Sequence, residues 1–298
     1  MLDFRHETFL VLCRLGSYTK TAEELHMTQP AVTQHIKYLE QMYGCKLLHY
    51  DARALTLTHA GQILRQFAST MRADSNRLAK IMSEANEAQT PLCFGATLTI
   101  GEYAMPKVLA KLLPENPKRK ITMLVDNTEM LLQRLCEGEI DFALLEGVFD
   151  KEKYAHELLS KEAFIPVCAK GMFKNKSLEM AEILPQSLIL REKGSGTRDI
   201  LEQVLREENL GINAFGSVCE IGNMSVIKQL VAKGLGITFL YKIAALAELE
   251  NGTLEEINLR GFSAYREFNF VYLKNSLHRE EYTTVFNAIK GDYNADKP

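Results

Sequence analysis

An α/β fold is predicted for this chain, with an N-terminal winged helix-turn-helix, a long linker helix and a C-terminal two-lobed α/β domain. Three observations predict it. Residues 1–58 read as short, closely spaced helices followed by a short strand pair, and residues 59–90 as one long helical pattern without proline. Over residues 91–298 short apolar runs alternate with helical stripes, the texture of an α/β domain. The composition is that of a soluble globular protein: 298 residues, 46% hydrophobic, with 35 Lys+Arg against 38 Asp+Glu for a net charge of −3. Disordered, collagen-like and disulfide-scaffold classes are excluded on those figures. No run approaches the roughly 20 apolar residues of a membrane span, Ala88 to Gly101 being too short and too polar. Asp3, Arg5, His6 and Glu7 leave no signal-peptide core in the first ten residues, and the cytoplasm is the expected location. Cys13, Cys45, Cys93, Cys136, Cys168 and Cys219 are scattered, without CxxC or a histidine at ligand spacing, which predicts buried thiols and no metal.

In the first segment, Phe4, Phe9, Leu10 and Cys13 recur at helical spacing until Gly16-Ser17 breaks the run. Thr19 is the expected cap of a second helix that turns Ala22 and Leu25 inward. Thr28 is the expected N-cap of a third, and Pro30 falls in its first turn, where a missing N–H costs little. Val32, Ile36 and Leu39 form that helix's buried stripe. Its other side carries Gln29, Thr33, Gln34 and Lys37, side chains of the kind that read base edges in a major groove. Two short helices with a tight turn and a polar-faced second helix make the helix-turn-helix pattern. Lys46–Leu48 and Ala54–Leu57, around the tip 51–53 with Arg53, would form the wing. The alternative is a three-helix cap with a solvated face. Charge weakens the DNA-binding reading, because six cations balance six acids over residues 1–60 where a basic patch is often found. Modest phosphate attraction per copy calls for several copies on one DNA.

The long helix, from about His59 to Ala88 behind Thr58, supplies a means of assembly. Leu64, Phe67, Met71, Leu78, Ile81 and Ala85 follow 3-4 spacing, with Asp74 in the middle slot, and predict a dimer-forming seam.

Beyond it, strands are expected at 92–96, 121–125, 142–146, 164–168, 187–190, 217–220 and 236–240, mostly in parallel sheets. Lobe I covers about 91–162 and 267–298, lobe II about 163–266. Ligands of open α/β sheets bind beyond the carboxyl ends of strands, where helix N-termini offer free N–H groups. Four polar junctions sit at such places: Thr97 and Thr99; Asn127 and Thr128; Ser195, Thr197 and Arg198; and Asn223. Glycines at 194 and 196 allow close backbone approach, and Arg198 offers a full charge. Together they predict a cleft for an anion or carboxylate. Glu146 ends a strand; it either reaches the cleft, to hold an ammonium or hydroxyl or to repel an oxyanion, or lies on the surface. No GxSxG, HExxH, GxxxxGK[ST] or GxGxxG motif occurs, so a binding protein without cofactor, not an enzyme, is expected. A solute-binding or catalytic protein whose N-terminal helices serve assembly alone is the rival reading, and the exposed glutamines and threonine argue against it.

The run AEELHMTQPAVTQHIKYLE at 22–40, with Gly44, Leu57-Thr58 and Ala60-Gly61, resembles the signature of LysR-type transcriptional regulators. Thr21 and Thr28 stand where alanine and serine are usual there, and His49-Tyr50 where an acidic residue and arginine are typical. The resemblance covers the whole chain. It implies a periplasmic-binding-protein-like effector domain and a homodimer or homotetramer that bends promoter DNA under control of a small molecule, with RNA polymerase a further partner. By position it brings Gln29, Pro30, Thr33 and Gln34 to bases and Arg53 to the backbone or minor groove. GATLTIGEYAMP with the later GSGTR is similar to a subgroup that includes regulators of cysteine and sulfur assimilation. That likeness implies a small anion or carboxylate at Thr97, Thr99, Thr128 and Thr197.

Overall fold

The computed structural model describes residues 3–51, 54–83, 90–174 and 177–294. At the N-terminus, α1 (Phe4–Leu15) starts on Asp3, whose carboxylate accepts from the Arg5 N–H, and ends at Gly16 in the left-handed region. Ser17, not Thr19, caps α2 (Tyr18–Glu24); Thr19 lies one residue inside the helix, exposed. Both hydroxyls precede the same turn, and only the extended residue ahead of the first helical one can turn its oxygen back onto the N–H groups. Thr28 caps α3 (Gln29–Tyr43) through the Ala31 N–H at 3.3 Å, with Pro30 in the first turn as expected. Phe9, Leu12, Val32, Ile36, Leu39 and Leu47 close the small core. Phe4, predicted inward, is exposed because it stands at the helix start, beyond the reach of α3's buried stripe. β1 (Leu48–Asp51) and β2 (Ala54–Leu57) pair antiparallel as the wing; the tip call on Arg53 lies outside the described residues.

The long helix α4 (His59–Ser83) docks on the C-terminal domain, and its predicted continuation with Ala85 lies outside the described residues. Its apolar row divides. Leu64 packs on the N-terminal core, while Phe67, Met71 and Leu78, joined by Ile63 and Met82, face outward. Asp74 is no gap in a seam: its carboxylate accepts from the Ser276 hydroxyl at 2.6 Å and the Leu277 N–H at 2.9 Å.

The C-terminal domain runs β3 (Leu92–Ala96), a π-turn at 100–104, α5 (Met105–Glu115), β4 (Ile121–Val125), α6 (Thr128–Glu137) and β5 (Phe142–Glu146). β6 (Tyr154–Ala169) leads out to α7 (Met180–Ile183), β7 (Ser187–Leu190), α8 (Gly196–Glu207), β8 (Ser217–Glu220), α9 (Met224–Ala232), β9 (Thr238–Tyr241), α10 (Lys242–Glu250) and β10 (Leu254–Glu256). β11 (Ala264–Leu273) returns, and α11 (Arg279–Asn294) packs beside α5.

One seven-stranded sheet carries the order β10-β6-β11-β5-β3-β4, with β9 also on β6. The expectation of mostly parallel sheets needs correcting. β3 pairs parallel with β4 and β5, and β7 with β8, but every pairing of β6 and β11 is antiparallel. β6 was legible only in its apolar second half, because Tyr154–Ala163 alternates with charged residues; β10 and β11 were not read at all. These two long strands, bulged at Phe268/Asn269, join the two halves of the domain. Phe94, Phe142, Phe164, Phe268 and Phe270 fill the core along the sheet. Cys168 is buried and Cys13, Cys93 and Cys136 half-buried, but Cys45 and Cys219 are exposed, against the expectation that all six would be inside. Among the described residues no helix is long and apolar enough to cross a membrane, and no group of three or more His, Cys, Asp or Glu could hold a metal ion.

Candidate functional site

The polar face of α3 is free of the protein's own chemistry. Gln29, Pro30, Gln34 and Lys37 are exposed, and the glutamine and lysine side chains make no hydrogen bond or ion pair among the described residues. Thr28 is occupied as the cap, and the Thr33 hydroxyl donates to the Gln29 carbonyl at 3.1 Å, which leaves its oxygen able to act only as an acceptor. Thr19 on α2 is exposed beside this face. The neutral charge count resolves locally. Asp3 is paired with Arg5 at 2.9 Å, Glu24 with Arg14, Glu40 with Lys46 at 2.7 Å and Glu7 with Arg72 at 3.3 Å. Among the described residues of this segment, Lys20 and Glu23 on α2 and Lys37 on α3 enter no ion pair, so the charge left on the polar face of α3 is the cation Lys37.

The second site lies where β3, β4, β5 and β7 end. A cavity of about 190 Å³ is lined by Thr97, Leu98, Val125, Asp126, Asn127, Thr128, Glu146, Arg191, Glu192, Ser195 and Gly196. The end of β5 meets the start of α8 there: a Cβ on Gly147 would stand 3.4 Å from the Gly196 Cα, and one on Gly196 3.3 Å from the Glu146 carbonyl oxygen. Gly147 itself takes φ +89°, open to glycine without strain.

Glu146 is the centre of this arrangement. It is 2% exposed; the Thr99 hydroxyl donates to its Oε1 at 2.9 Å, and its Oε2 has no partner. Its N–H donates to the Thr97 hydroxyl at 3.3 Å, and its carbonyl accepts from the Thr128 hydroxyl at 3.3 Å. Burial pushes its carboxyl up to about 7, opposed by the Thr99 hydroxyl, the Arg191 charge and the Thr197 hydroxyl. The Thr197 oxygen is itself buried without a partner. Ser195 precedes α8 without a side-chain bond to its first turn, so those N–H groups stay open, whereas Asn127 closes α6 by accepting from the Met130 N–H at 2.9 Å.

Of the cleft residues expected from sequence, the structure brings Thr97, Asn127, Thr128, Glu146 and Ser195 to the cavity wall and sets Thr99 and Thr197 against Glu146. It does not bring Arg198 or Asn223. The Arg198 guanidinium turns to Glu220 at 2.5 Å and Glu202 at 2.7 Å, because acids one helical turn on and on neighbouring β8 satisfy it nearer home. Asn223 is exposed and spends its side chain capping α9 through the Val226 N–H at 3.1 Å. The cavity's cation is instead Arg191, held in a two-bond fork by Glu192 at 2.7 and 2.8 Å. Both follow β7 directly, and Asp126 follows β4, so the strand-end rule applied elsewhere would have found them.

Comparison with known proteins agrees with this layout. Residues 5–62 match the model described as "Bacterial regulatory helix-turn-helix protein, lysR family", and residues 85–292 match the "LysR substrate binding domain". The chain belongs to the lysR family. As a member of it, the protein is a DNA-binding transcription regulator with an effector-binding domain, not an enzyme. It is 29% identical over 271 residues to the HTH-type transcriptional activator CmpR of Synechocystis, covering 90% of this chain and 88% of that one. It is 26% identical over 288 residues to the HTH-type transcriptional regulator CysL of Bacillus subtilis, covering 95% of each. Among solved structures, a cysteine mutant of Corynebacterium glutamicum OxyR shares the fold with a TM-score of 0.62 at 24% identity, over 97% of this chain and 90% of that one. The Synechocystis CcmR regulatory domain in complex with 2-PG does so with a TM-score of 0.61 at 18% identity, over 69% and 98%.

Proposed function

We propose that this lysR-family regulator reads promoter DNA through α3 and is controlled by a small anion or carboxylate bound in the cavity at Glu146. The observation that carries the second half is the meeting of Thr97, Thr128 and Ser195 with the open first turn of α8 on one cavity, with Thr99 and Thr197 set against the Glu146 that lines it. The solved CcmR regulatory domain, similar in fold, holds 2-PG. Gln29, Pro30, Thr33 and Gln34 are assigned to base edges, with Thr19, Thr28 and Lys37 setting register against the backbone. Residues 1–58 then form the reading domain, 59–90 the linker and 91–298 the effector domain. Phe67, Met71 and Leu78 on the outer face of α4 form the contact between copies in a homodimer, and further contacts make the tetramer. RNA polymerase is a further partner at the promoter, and the cytoplasm is where the protein works. An effector acts by binding one arrangement of the assembly more tightly than another.

The test is footprinting on the DNA upstream of the protein's own gene, with and without small carboxylates, sulfate and sulfur-pathway metabolites. A long protected region whose hypersensitive bend relaxes with one compound is the expected result. A folded protein that protects no DNA at any concentration refutes the DNA-reading role.

A further inference from the structure

Among the charged side chains that line the cavity, Arg191 is the one cation and Asp126, Glu146 and Glu192 are the carboxylates, and Glu146 alone of these lacks an ion-pair partner among the described residues. Asp126 and Glu192 each stand beside an arginine: Arg134 at 3.8 Å and Arg191 at 2.7 Å. Glu146 has no cation within ion-pair distance among the described residues; the Thr99 hydroxyl bonds Oε1, and the Thr197 hydroxyl beside it falls outside hydrogen-bond geometry yet still draws its titration down. Oε2 is left bare, as are the buried Thr197 hydroxyl and the Tyr241 hydroxyl, whose titration the Glu146 charge shifts upward. A deprotonated Glu146 would set its charge against any anion in the same water-poor space. Two like charges at such range cannot both persist, and the proton resolves the conflict.

Resting on the reading of this cavity as the effector site, we propose that the cleft takes its oxyanion together with one proton, carried on Glu146 Oε2 and donated to the ligand. The balance is simple. A solvent proton forms the O–H bond on Oε2, the carboxyl becomes neutral, and its hydrogen bond runs to a ligand oxygen; no other bond is made or broken. Thr99 already occupies Oε1, which leaves Oε2 as the oxygen that acquires the proton. The groups facing Glu146 do not take over this role. Phe268 pairs with it across the sheet, Tyr241 on β9 stays protonated because burial pushes its hydroxyl well up, and the hydrogen bonds from Arg191 hold the Glu192 carboxyl below its usual range, against its burial, and keep it ionised. The carboxyl is held near neutrality by burial, so the proton is gained within the physiological range.

Sulfate is the suitable probe, since its own charge does not change between pH 6 and 8. Calorimetric titration of the full-length protein at constant ionic strength should show affinity falling about tenfold from pH 6 to pH 8, for a carboxyl that titrates near 7 in the free protein and stays neutral throughout in the complex. Repeating it at pH 8 in buffers of different ionisation heat should show uptake of close to one proton per sulfate. Glu146→Gln, whose amide can donate where the acid did, should bind with a flat pH profile. Should that variant fail to fold, the wild-type profile and proton count decide alone. Sulfate that binds with no pH dependence overturns the proton coupling and leaves the cavity reading standing. Affinity that rises with pH overturns it in favour of a carboxylate receiving a ligand donor. No binding at any pH, with the Thr97 and Thr128 amide signals unmoved, removes the anion site and this proposal with it.

Discussion

Replacing Arg77 by methionine should cost about 3–5 kcal/mol, the range for leaving a buried charge without its partner. Arg77 stands on the buried side of α4, 4% exposed at the side chain, with Nη1 2.5 Å from Asp141 and Nη2 2.6 Å from Glu281. Asp141, equally buried, holds one other donor among the described residues, the Cys93 N–H at 2.8 Å on Oδ2. Glu281 is part-exposed and keeps Arg119 at 3.2 Å, so its share is about 0–1 kcal/mol. The loss therefore comes almost entirely from Asp141. Urea unfolding followed by far-ultraviolet circular dichroism measures it, since the chain has no tryptophan. The control is Arg77→Met with Asp141→Asn, which removes the stranded charge yet keeps an acceptor for Cys93; it should recover at least half the loss. A single variant within roughly 0.5 kcal/mol of wild type, or a double variant no better than the single, would refute the argument.

Gln29→Ala should weaken operator binding by about 1–3 kcal/mol while leaving random-sequence DNA nearly unaffected, as mobility shifts on both would show; equal losses on both would remove it as a base reader. Gly138→Ala should destabilise the α4–α6 contact, because φ is +71° there and the new Cβ would stand 2.6 Å from the Ala73 Cα; an unchanged urea midpoint would contradict the close approach. Glu146 should make stability fall with pH: the unfolded carboxyl ionises above 4.5 while the folded one resists to about 7, so its contribution is full below 4.5 and lost by 7, about 3 kcal/mol in all. Comparing stability profiles of wild type and Glu146→Gln isolates that slope, and parallel profiles would count against it. Thr28→Ala should cost about 0.5–2 kcal/mol through loss of the α3 cap, read as a lowered melting temperature of the N-terminal domain.

The chemistry of local order was legible in the residues themselves. Thr28 with Pro30, Asn127 and Asn223 announced helix starts, because a cap bonds N–H groups two or three residues away and needs nothing from the rest of the chain. The apolar stripe Val32, Ile36 and Leu39 and the run Phe142–Glu146 were likewise periodic enough to be placed. Lys20 and Lys37 show the limit of a charge count. Four of the six acids of residues 1–60 are spent in ion pairs with three of the segment's own cations and with Arg72 of α4, and pairing depends on distance in space.

The sequence by itself determined the helix-turn-helix, the long linker helix, most strands and the strand-end positions of Thr97, Thr128, Glu146 and Ser195. Only the tertiary structure decided that Asp74 and Arg77 pin the linker to the C-terminal domain, that Arg198 serves Glu202 and Glu220, and that Arg191 takes its place at the cavity. Those outcomes turn on which partner lies within about 3 Å, and a charged side chain goes to the opposite charge nearest in space. Spacing along a chain carries no such information when the partners are, like Arg77 and Glu281, 204 residues apart.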